Sequence, residues 1–478
     1  MVHVAILGAY GSAGVAVADE LLERTAPEAD GPWAGLALEV TLVDGADPGG
    51  GLCILEGCMP SKEVLSAGKH RFQARHDPRL EGVPEPDPER IVERKDEHVD
   101  GWAGHRTDPV HELAERQNVT FHREDGRFLD DRTIAVGDET VEPDYVVIAT
   151  GSTLNVPALP GIEDVPFHSS ADVLDASTFP ASAIVMGFGY VGLELVPYLA
   201  EVGGVDLTVI EHDDHPLDEF PAAYGETLLE HYREVFGIEI LTNAHERRLE
   251  RTEDGDVRLA LEGEGVPESI TAEALYCFTG RRPNLDGLSL SETALEPGPG
   301  WVADTMQAVD DERVFVVGDA NGREPILHVA KEQGFAAAKN LLRHATGEPL
   351  SPYENVPHHV IFSGLGALPF ARVGHTPESA RDAGIEAPIV VHRAASDDGV
   401  FATKNHAEGR ATLVVAPDGT VVGWQGLHLH ADVMAKTMQV IVELGLDVRD
   451  VPDRAYHPTT PEILDGLFRA AAAALQAP

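Results

Sequence analysis

At 478 residues and 43% hydrophobic, the chain is long enough for about three domains, which excludes a small stapled fold. No apolar run nears the roughly 18 residues that a membrane span requires. Acidic residues outnumber lysine and arginine 81 to 35, a formal net charge of -46, and such a surface repels nucleic acid and anionic lipid.

Val2 to Leu7 is too short for a signal-peptide core, carries no basic lead and runs into glycine. It is expected to be a buried strand in a cytoplasmic protein, where paired cysteines are catalytic more often than structural. After Leu7 come Gly8, Gly11 and Gly14, an amphipathic helix, and a second strand ending in Asp44. This is the order of a dinucleotide-binding unit, although the GxxGxxG spacing is one residue longer than the usual fingerprint. Asp44 also comes late, and the surplus is assigned to an inserted loop between Thr25 and Gly35.

Cys53-Ile54-Leu55-Glu56-Gly57-Cys58-Met59-Pro60-Ser61-Lys62 follows. A disulfide needs Cα atoms within about 7 Å, which an i,i+5 pair on a regular helix does not meet. The chain is therefore expected to deviate near the helix start, where Gly57 permits it. A helix N-terminus beside a cation such as Lys62 lowers a thiol's pKa and makes it a better nucleophile. Zinc would want a CxxC-like spacing and two further ligands, so no metal is expected.

Thr120 to Ile148 alternates short apolar runs with turn residues, suggesting strands that return to the first sheet before Thr150 and Gly151. Pro157, Pro160 and Gly161 read as a linker. A second dinucleotide unit then runs from Ala183 through Gly187, Gly189 and Gly192, a regular GxGxxG, to a strand ended by Glu211. A carboxylate there can accept hydrogen bonds from an adenosine ribose diol, and it disfavours the extra phosphate of NADPH. Cys277 stands alone and reads as a small buried apolar residue. A third block to about Leu342 carries the strand Val314 to Val317 and then Gly318-Asp319. From about Pro352 a last domain is expected, with a strand Ala411 to Val415 and helices Ala431 to Leu444 and Pro461 to Leu475. His457 stands just before that final helix and Glu462 in its first turn, and a histidine oriented by a carboxylate is a competent acid-base pair.

The stretch from Gly49 to Leu65 resembles the active-site helix of the pyridine nucleotide-disulfide oxidoreductases, which include dihydrolipoyl dehydrogenase, glutathione reductase and mercuric reductase. The likeness covers essentially the whole chain in order. Ala149-Thr150-Gly151 resembles the turn closing the first FAD segment. Gly280-Arg281-Arg282-Pro283-Asn284 resembles the end of the NAD domain, and Val317-Gly318-Asp319 the second FAD contact. Glu194 matches the acid that pairs with the motif lysine, here Lys62, and His457-Pro458-Thr459-Thr460-Pro461-Glu462 resembles the family's HPTxxE.

The resemblance implies an α/β fold with two Rossmann-like dinucleotide-binding domains and a C-terminal α+β dimerisation domain. FAD-binding segments are placed at 1–152 and 277–350, the NAD(P)-binding domain at 153–276 and the dimerisation domain at 351–478. FAD is expected at Gly8, Gly11, Gly14, Asp44, Thr150, Gly151, Gly318 and Asp319, and NAD(P)H at Gly187, Gly189, Gly192, Glu211 and Gly280. Cys58 is the flavin-proximal thiol by analogy, and Cys53 the one that attacks a small-molecule disulfide substrate. In the family the histidine dyad serves the cysteines of the other subunit, which implies a homodimer with shared sites.

Departures from the family pattern bear on the substrate. Leu52 stands where threonine is usual, Phe362 to Leu368 replaces a stretch carrying Asp-Pro-Glu, and Gly426 to His430 replaces a more apolar pattern. The tail Ala473 to Pro478 holds no cysteine pair, which disfavours mercuric ion reduction. Dihydrolipoamide is supported by Leu327-His328-Val329-Ala330, which resembles the flavin-side segment of its dehydrogenase. Dense carboxylates with only seven lysines resemble the proteins of extreme halophiles. Halophilic archaea use γ-glutamylcysteine as their small thiol, so bis-γ-glutamylcystine is the preferred expectation. A flavoprotein that binds nucleotides without turnover would need neither the cysteine pair nor the dyad, and an NADH oxidase without disulfide chemistry would lack HPTxxE.

Overall fold

The computed structural model describes residues 1–452, 454 and 456–476. Ala477 and Pro478, the last two residues of the tail, lie outside the described residues. The chain divides into two compact units: residues 1–62, 93–155 and 281–355 form one, and 63–92, 156–280 and 356–478 the other.

The first unit is built on a five-stranded parallel sheet. Its order is Val314–Val316, Tyr145–Ile148, Val2–Leu7, Leu38–Val43 and Val119–His122. The central strand pairs Val4 with Val40 on one side and with Tyr145 on the other. Val4, Ala5, Ile6 and Leu7 are all buried, because a parallel sheet is covered on both faces and has no use for alternation. Helices Ser12–Thr25 and Leu327–Thr346 pack together so tightly that a Cβ at Gly334 would stand 2.7 Å from the carbonyl oxygen of Ala13. Of the segment expected to return to this sheet, only its two ends do so. The strands Gly126–Phe128, Ile134–Val136 and Glu139–Val141 form an antiparallel sheet of their own. The segment 26–37 is a connection, as expected of an inserted loop, yet Trp33 is buried in the core and donates Nε1–H to Glu348 at 3.1 Å.

The second unit contains a four-stranded parallel sheet ordered Glu239–Leu241, Asp206–Ile210, Ser182–Met186 and Ala274–Cys277. Cys277 is fully buried at its edge, and burial pushes its thiol pKa up, although Thr279 Oγ1 lies 3.1 Å from the sulfur. A five-stranded antiparallel sheet carries the C-terminal part in the order His358–Ile361, Phe370–Gly374, Val421–Leu427, Arg410–Val415 and Ile389–Ala394. Helices Ala431–Glu443 and Glu462–Leu475 bury Met434, Met438, Ile463 and Leu467 in one core with it. Among the described residues no helix is long and apolar enough to cross a membrane.

Candidate active site

The two glycine turns are physically equivalent despite their different spacing. Gly8 and Gly187 share a φ of +93°, and a Cβ on them would meet the carbonyl oxygens of Ala149 at 2.4 Å and Phe278 at 2.5 Å. In each unit that carbonyl ends the neighbouring parallel strand, so only glycine fits. The last glycine of each turn is constrained in the same way, since a Cβ on Gly14 would meet Gly8 O at 2.2 Å and one on Gly192 would meet Gly187 O at 2.7 Å. The extra residue in the first turn is absorbed by Tyr10. Its ring is buried, its N–H donates to Asp44 Oδ2 at 2.8 Å, and its hydroxyl lies 2.7 Å from His111 Nε2. The middle glycines differ: a Cβ on Gly11 would sit 3.3 Å from Gly8 O, whereas one on Gly189 would meet nothing within 4 Å.

In the first unit a cleft of about 680 Å³ is lined by Gly8, Gly11, Asp44, Thr150, Gly151 and Arg281. A second cavity of about 150 Å³ shares Gly11, Gly51, Gly151 and Ser152 with it and adds Cys53, Cys58, Gly318 and Asp319. The lining is thus continuous from Asp44 to the cysteines. Volumes of this size suit a large cofactor. Burial raises the pKa of Asp44, and its two backbone hydrogen bonds, from Tyr10 and from Ala46 at 3.0 Å, oppose that. Lone pairs remain on the carboxylate to accept ribose hydroxyls.

Three residues with no assigned role in the sequence reading brace this cleft. Ser152 donates to Asp319 Oδ2 at 2.6 Å and is gripped by Arg281, whose Nε donates to Ser152 Oγ at 2.9 Å and whose Nη2 donates to its carbonyl at 2.6 Å. Burial lowers the pKa of Arg281, opposed by the nearby Asp319. Gln333 Oε1 accepts from Gly318 N at 2.8 Å and from Asn321 Nδ2 at 2.7 Å, which fixes the turn carrying Asp319. Thr150 and Gly151 are held by Asn284, whose N–H donates to Gly151 O at 2.9 Å.

The cysteine segment breaks where a break was needed. A single helical turn, Leu52–Leu55, stops at Glu56, and a new helix, Cys58–His76, begins. A Cβ on Gly57 would approach Leu52 O to 2.9 Å, so this fold-back favours glycine. Cys53 is half-buried, Cys58 is exposed at the helix start, and both are free thiols. They share a hydrogen bond, which is the first cause, ahead of burial, that pushes the Cys53 pKa well up. Cys53 therefore keeps its proton while Cys58 occupies the helix N-terminus. Lys62 lies on the same helix and closes a segment of the first unit.

In the second unit Glu211 is buried at the end of its strand and accepts Asp213 N–H at 3.0 Å. Burial raises its pKa. Gly280 adopts a φ of +85° with open space where a Cβ would be. Glu194, on helix Tyr190–Glu201, accepts the backbone N–H of Phe362 at 3.0 Å. The C-terminal dyad is formed: His457 Nδ1 lies 3.0 and 3.1 Å from the two Glu462 oxygens, and Thr459 N–H donates to Oε1 at 2.9 Å. The hydrogen bond from His457 leads the causes that lower the Glu462 pKa. The imidazole itself is largely exposed.

Residues 2–334 match the pyridine nucleotide-disulphide oxidoreductase family, and residues 360–467 match the dimerisation domain of that family. The chain belongs to this family. Its members are flavoprotein disulfide oxidoreductases that use FAD and NAD(P)H, and this chain is such an enzyme. It is 30% identical over 454 residues to dihydrolipoyl dehydrogenase 2 of Haloarcula marismortui, covering 92% of each chain. It is 28% identical over 441 residues to the dihydrolipoyl dehydrogenase of Haloferax volcanii, covering 89% of each. Such haloarchaeal relatives fit the acid-rich, lysine-poor composition. The match to the mercuric reductase of Bacillus cereus, 27% over 299 residues, covers 61% of this chain and 46% of that one. Among solved structures, LpdA from Mycobacterium tuberculosis superposes with a TM-score of 0.81 at 23% identity, over 98% of this chain and 99% of the other. The flavoprotein disulfide reductase RclA from Escherichia coli does so at 0.78 and 21%, with the same coverage. The α/β fold is that of the family.

Proposed function

We propose that Cys53 and Cys58 are the redox pair through which this oxidoreductase exchanges electrons with a small-molecule disulfide. The observation that carries this reading is the hydrogen bond between two free thiols across a helix break, one of them at a helix N-terminus. FAD, when bound, relays the electron pair between NAD(P)H and these two sulfurs. Gly8, Gly11, Gly14, Asp44, Thr150, Gly151, Gly318 and Asp319 would hold it in segments 1–152 and 277–350. Gly187, Gly189, Gly192, Glu211 and Gly280 would hold the nicotinamide cofactor in 153–276, with Glu211 favouring NADH.

Since Cys53 keeps its proton, its attack on a disulfide needs a base, and His457, oriented by Glu462, is assigned to that role. Attack by the Cys53 thiolate forms a mixed disulfide and expels one substrate thiolate, which takes the proton back from His457. Cys58 then attacks Cys53, expels the second thiolate and closes the protein disulfide. Lys62 and Glu194 are each assigned a supporting role by the family resemblance. Residues 351–478 are assigned to dimerisation, with the histidine supplied to the cysteines of the other subunit.

Two substrates compete. The relatives named dihydrolipoyl dehydrogenase support lipoamide, which stands at least level with bis-γ-glutamylcystine. The latter is supported by the halophile-like composition and by the departures at Leu52, Phe362 to Leu368 and Gly426 to His430. Turnover of oxidised lipoamide, bis-γ-glutamylcystine and glutathione disulfide, measured side by side in molar salt with NADH and NADPH, decides between them. Lipoamide turnover about a hundredfold faster would remove the γ-glutamyl substrate, and the reverse ratio would remove lipoamide. No turnover of any of the three would refute the small-disulfide reading.

A further inference from the structure

The second unit holds a pocket of about 480 Å³ outside every site described above. Helix Cys58–His76 lines it with Lys69, His70 and His76, and separate C-terminal segments bring Lys404, His406 and His430. Six of its twelve lining residues are basic and one, Asp77, is acidic, in a chain with 81 acidic residues. Asp77 does not neutralise them. Its carboxylate is taken by Arg79, with Nη2–Oδ2 at 2.6 Å and Nε–Oδ1 at 2.7 Å. Nearby Glu408 is given to His231 at 2.7 Å.

Two other lysines are neutralised by carboxylates, Lys95 by Asp96 at 2.7 Å and Lys339 by Glu20 at 3.4 Å. Among the described residues neither Lys69 nor Lys404 is in an ion pair. Burial first, and then neighbouring cations that include Lys69, push the imidazoles of His406 and His430 down in pKa against the opposing pull of Glu408 and Asp432. The dipole at the end of helix Cys58–His76 accounts for a histidine there, but not for cations contributed by other segments. The frame is fixed. Asn405 Nδ2 donates to His76 O at 2.6 Å, His76 Nδ1 donates to Phe72 O at 2.9 Å, and His430 Nδ1 lies 3.0 Å from Thr460 Oγ1. With the Thr460 hydroxyl donating to Nδ1, His430 keeps Nε2–H as a donor for a ligand.

We propose that this pocket binds a small multivalent oxyanion, one bearing two or more carboxylate or phosphate groups. Lys69 and Lys404 supply positive charge and the imidazoles supply hydrogen bonds, a combination that suits such a ligand, and its recognition is local. In molar salt the screening length is about 3 Å, so only groups in contact contribute. None of its residues has a catalytic or cofactor role, although Leu429 and His430 belong to the Gly426 to His430 segment that bears on the substrate, so the site is tested by binding and not by turnover.

Calorimetric titration of the full-length protein in molar potassium chloride, with pyrophosphate and separately with citrate, tests this. Saturable binding of one of them is expected, weakened roughly tenfold in Lys404→Gln and in Lys69→Gln, since each removes a charged hydrogen-bond donor. Lys436→Gln, on another helix, should bind as the wild type does. Lys404 is exposed, so glutamine there leaves the fold intact. Tighter binding of pyrophosphate assigns the site to phosphates, and tighter binding of citrate to carboxylates. Absence of saturable heat with both anions, or equal affinity in the wild type and both pocket variants, would overturn the proposal.

Discussion

His457 and Glu462 form a dyad whose two members should fail differently. His457→Ala removes the acid-base group and is expected to lower turnover by about 10² to 10⁴-fold. Glu462→Gln keeps a group able to accept a hydrogen bond from Nδ1, so a smaller loss, about tenfold, is expected in the same steady-state assay. Equal losses would mean that the carboxylate charge, and not ring orientation, is what matters. Because the Glu462 pKa is lowered, its carboxylate stays ionised to a lower pH than an ordinary glutamate does. The hold on His457 should persist to the same limit. At this scale the sequence was readable wherever chemistry is local. The spacing from His457 to Glu462 and from Cys53 to Cys58 is visible in a string. Ser152, Arg281 and Gln333 were not, because each acts on a residue distant in the chain, Ser152 on Asp319 and Arg281 on Ser152.

The glycine turns show the same division between what is local and what is not. Gly189 and Gly192 belong to one motif but face different constraints. Alanine at Gly192 would press its Cβ on Gly187 O at 2.7 Å, so the turn must shift, and a drop of about 3 °C or more in Tm is expected. Alanine at Gly189 meets no protein atom within 4 Å, so the fold should tolerate it. If Gly189 belongs to the proposed nicotinamide cofactor site, that space takes the pyrophosphate at the helix N-terminus, and KM for NADH is expected to rise about tenfold. A Gly189→Ala enzyme with unchanged KM, or a Gly192→Ala enzyme with unchanged Tm, would break this assignment. Strands paired in parallel to a close neighbour were legible from their unbroken apolar runs. The small antiparallel sheet from Gly126 to Val141 was not, because three-residue strands carry too short a pattern to say which sheet they join.

For the whole molecule, the cysteines belong to one compact unit and the dyad to the other. If the dyad acts across a two-fold axis, Cys53→Ser and His457→Ala homodimers should each be nearly inactive. Co-refolding equal amounts makes about half the dimers mixed, each with one intact site of two, so about a quarter of wild-type activity should return. Activity no higher than in the separate samples, with heterodimers demonstrated, would refute the shared site. The formal charge of -46 sets a second expectation. Lowering the salt from molar to about 0.1 M lengthens the screening distance from about 3 to about 10 Å and brings carboxylates into mutual repulsion. Activity and the dimer, followed by assay and light scattering after dialysis, should both be lost, and full activity in dilute buffer would remove the halophilic adaptation.

Tyr10 has a consequence for how such turns can change. What the fold demands of a dinucleotide turn is two close approaches, first glycine to a strand carbonyl and last glycine to the first, and both are met here with an additional residue between them. The spare length is not carried as slack. It is spent on a buried phenol that ties the turn to the acid of the next strand and to His111. Turn length is therefore free to drift by one residue wherever a side chain can anchor the surplus, and a search that insists on fixed glycine spacing will pass over sites that are mechanically intact.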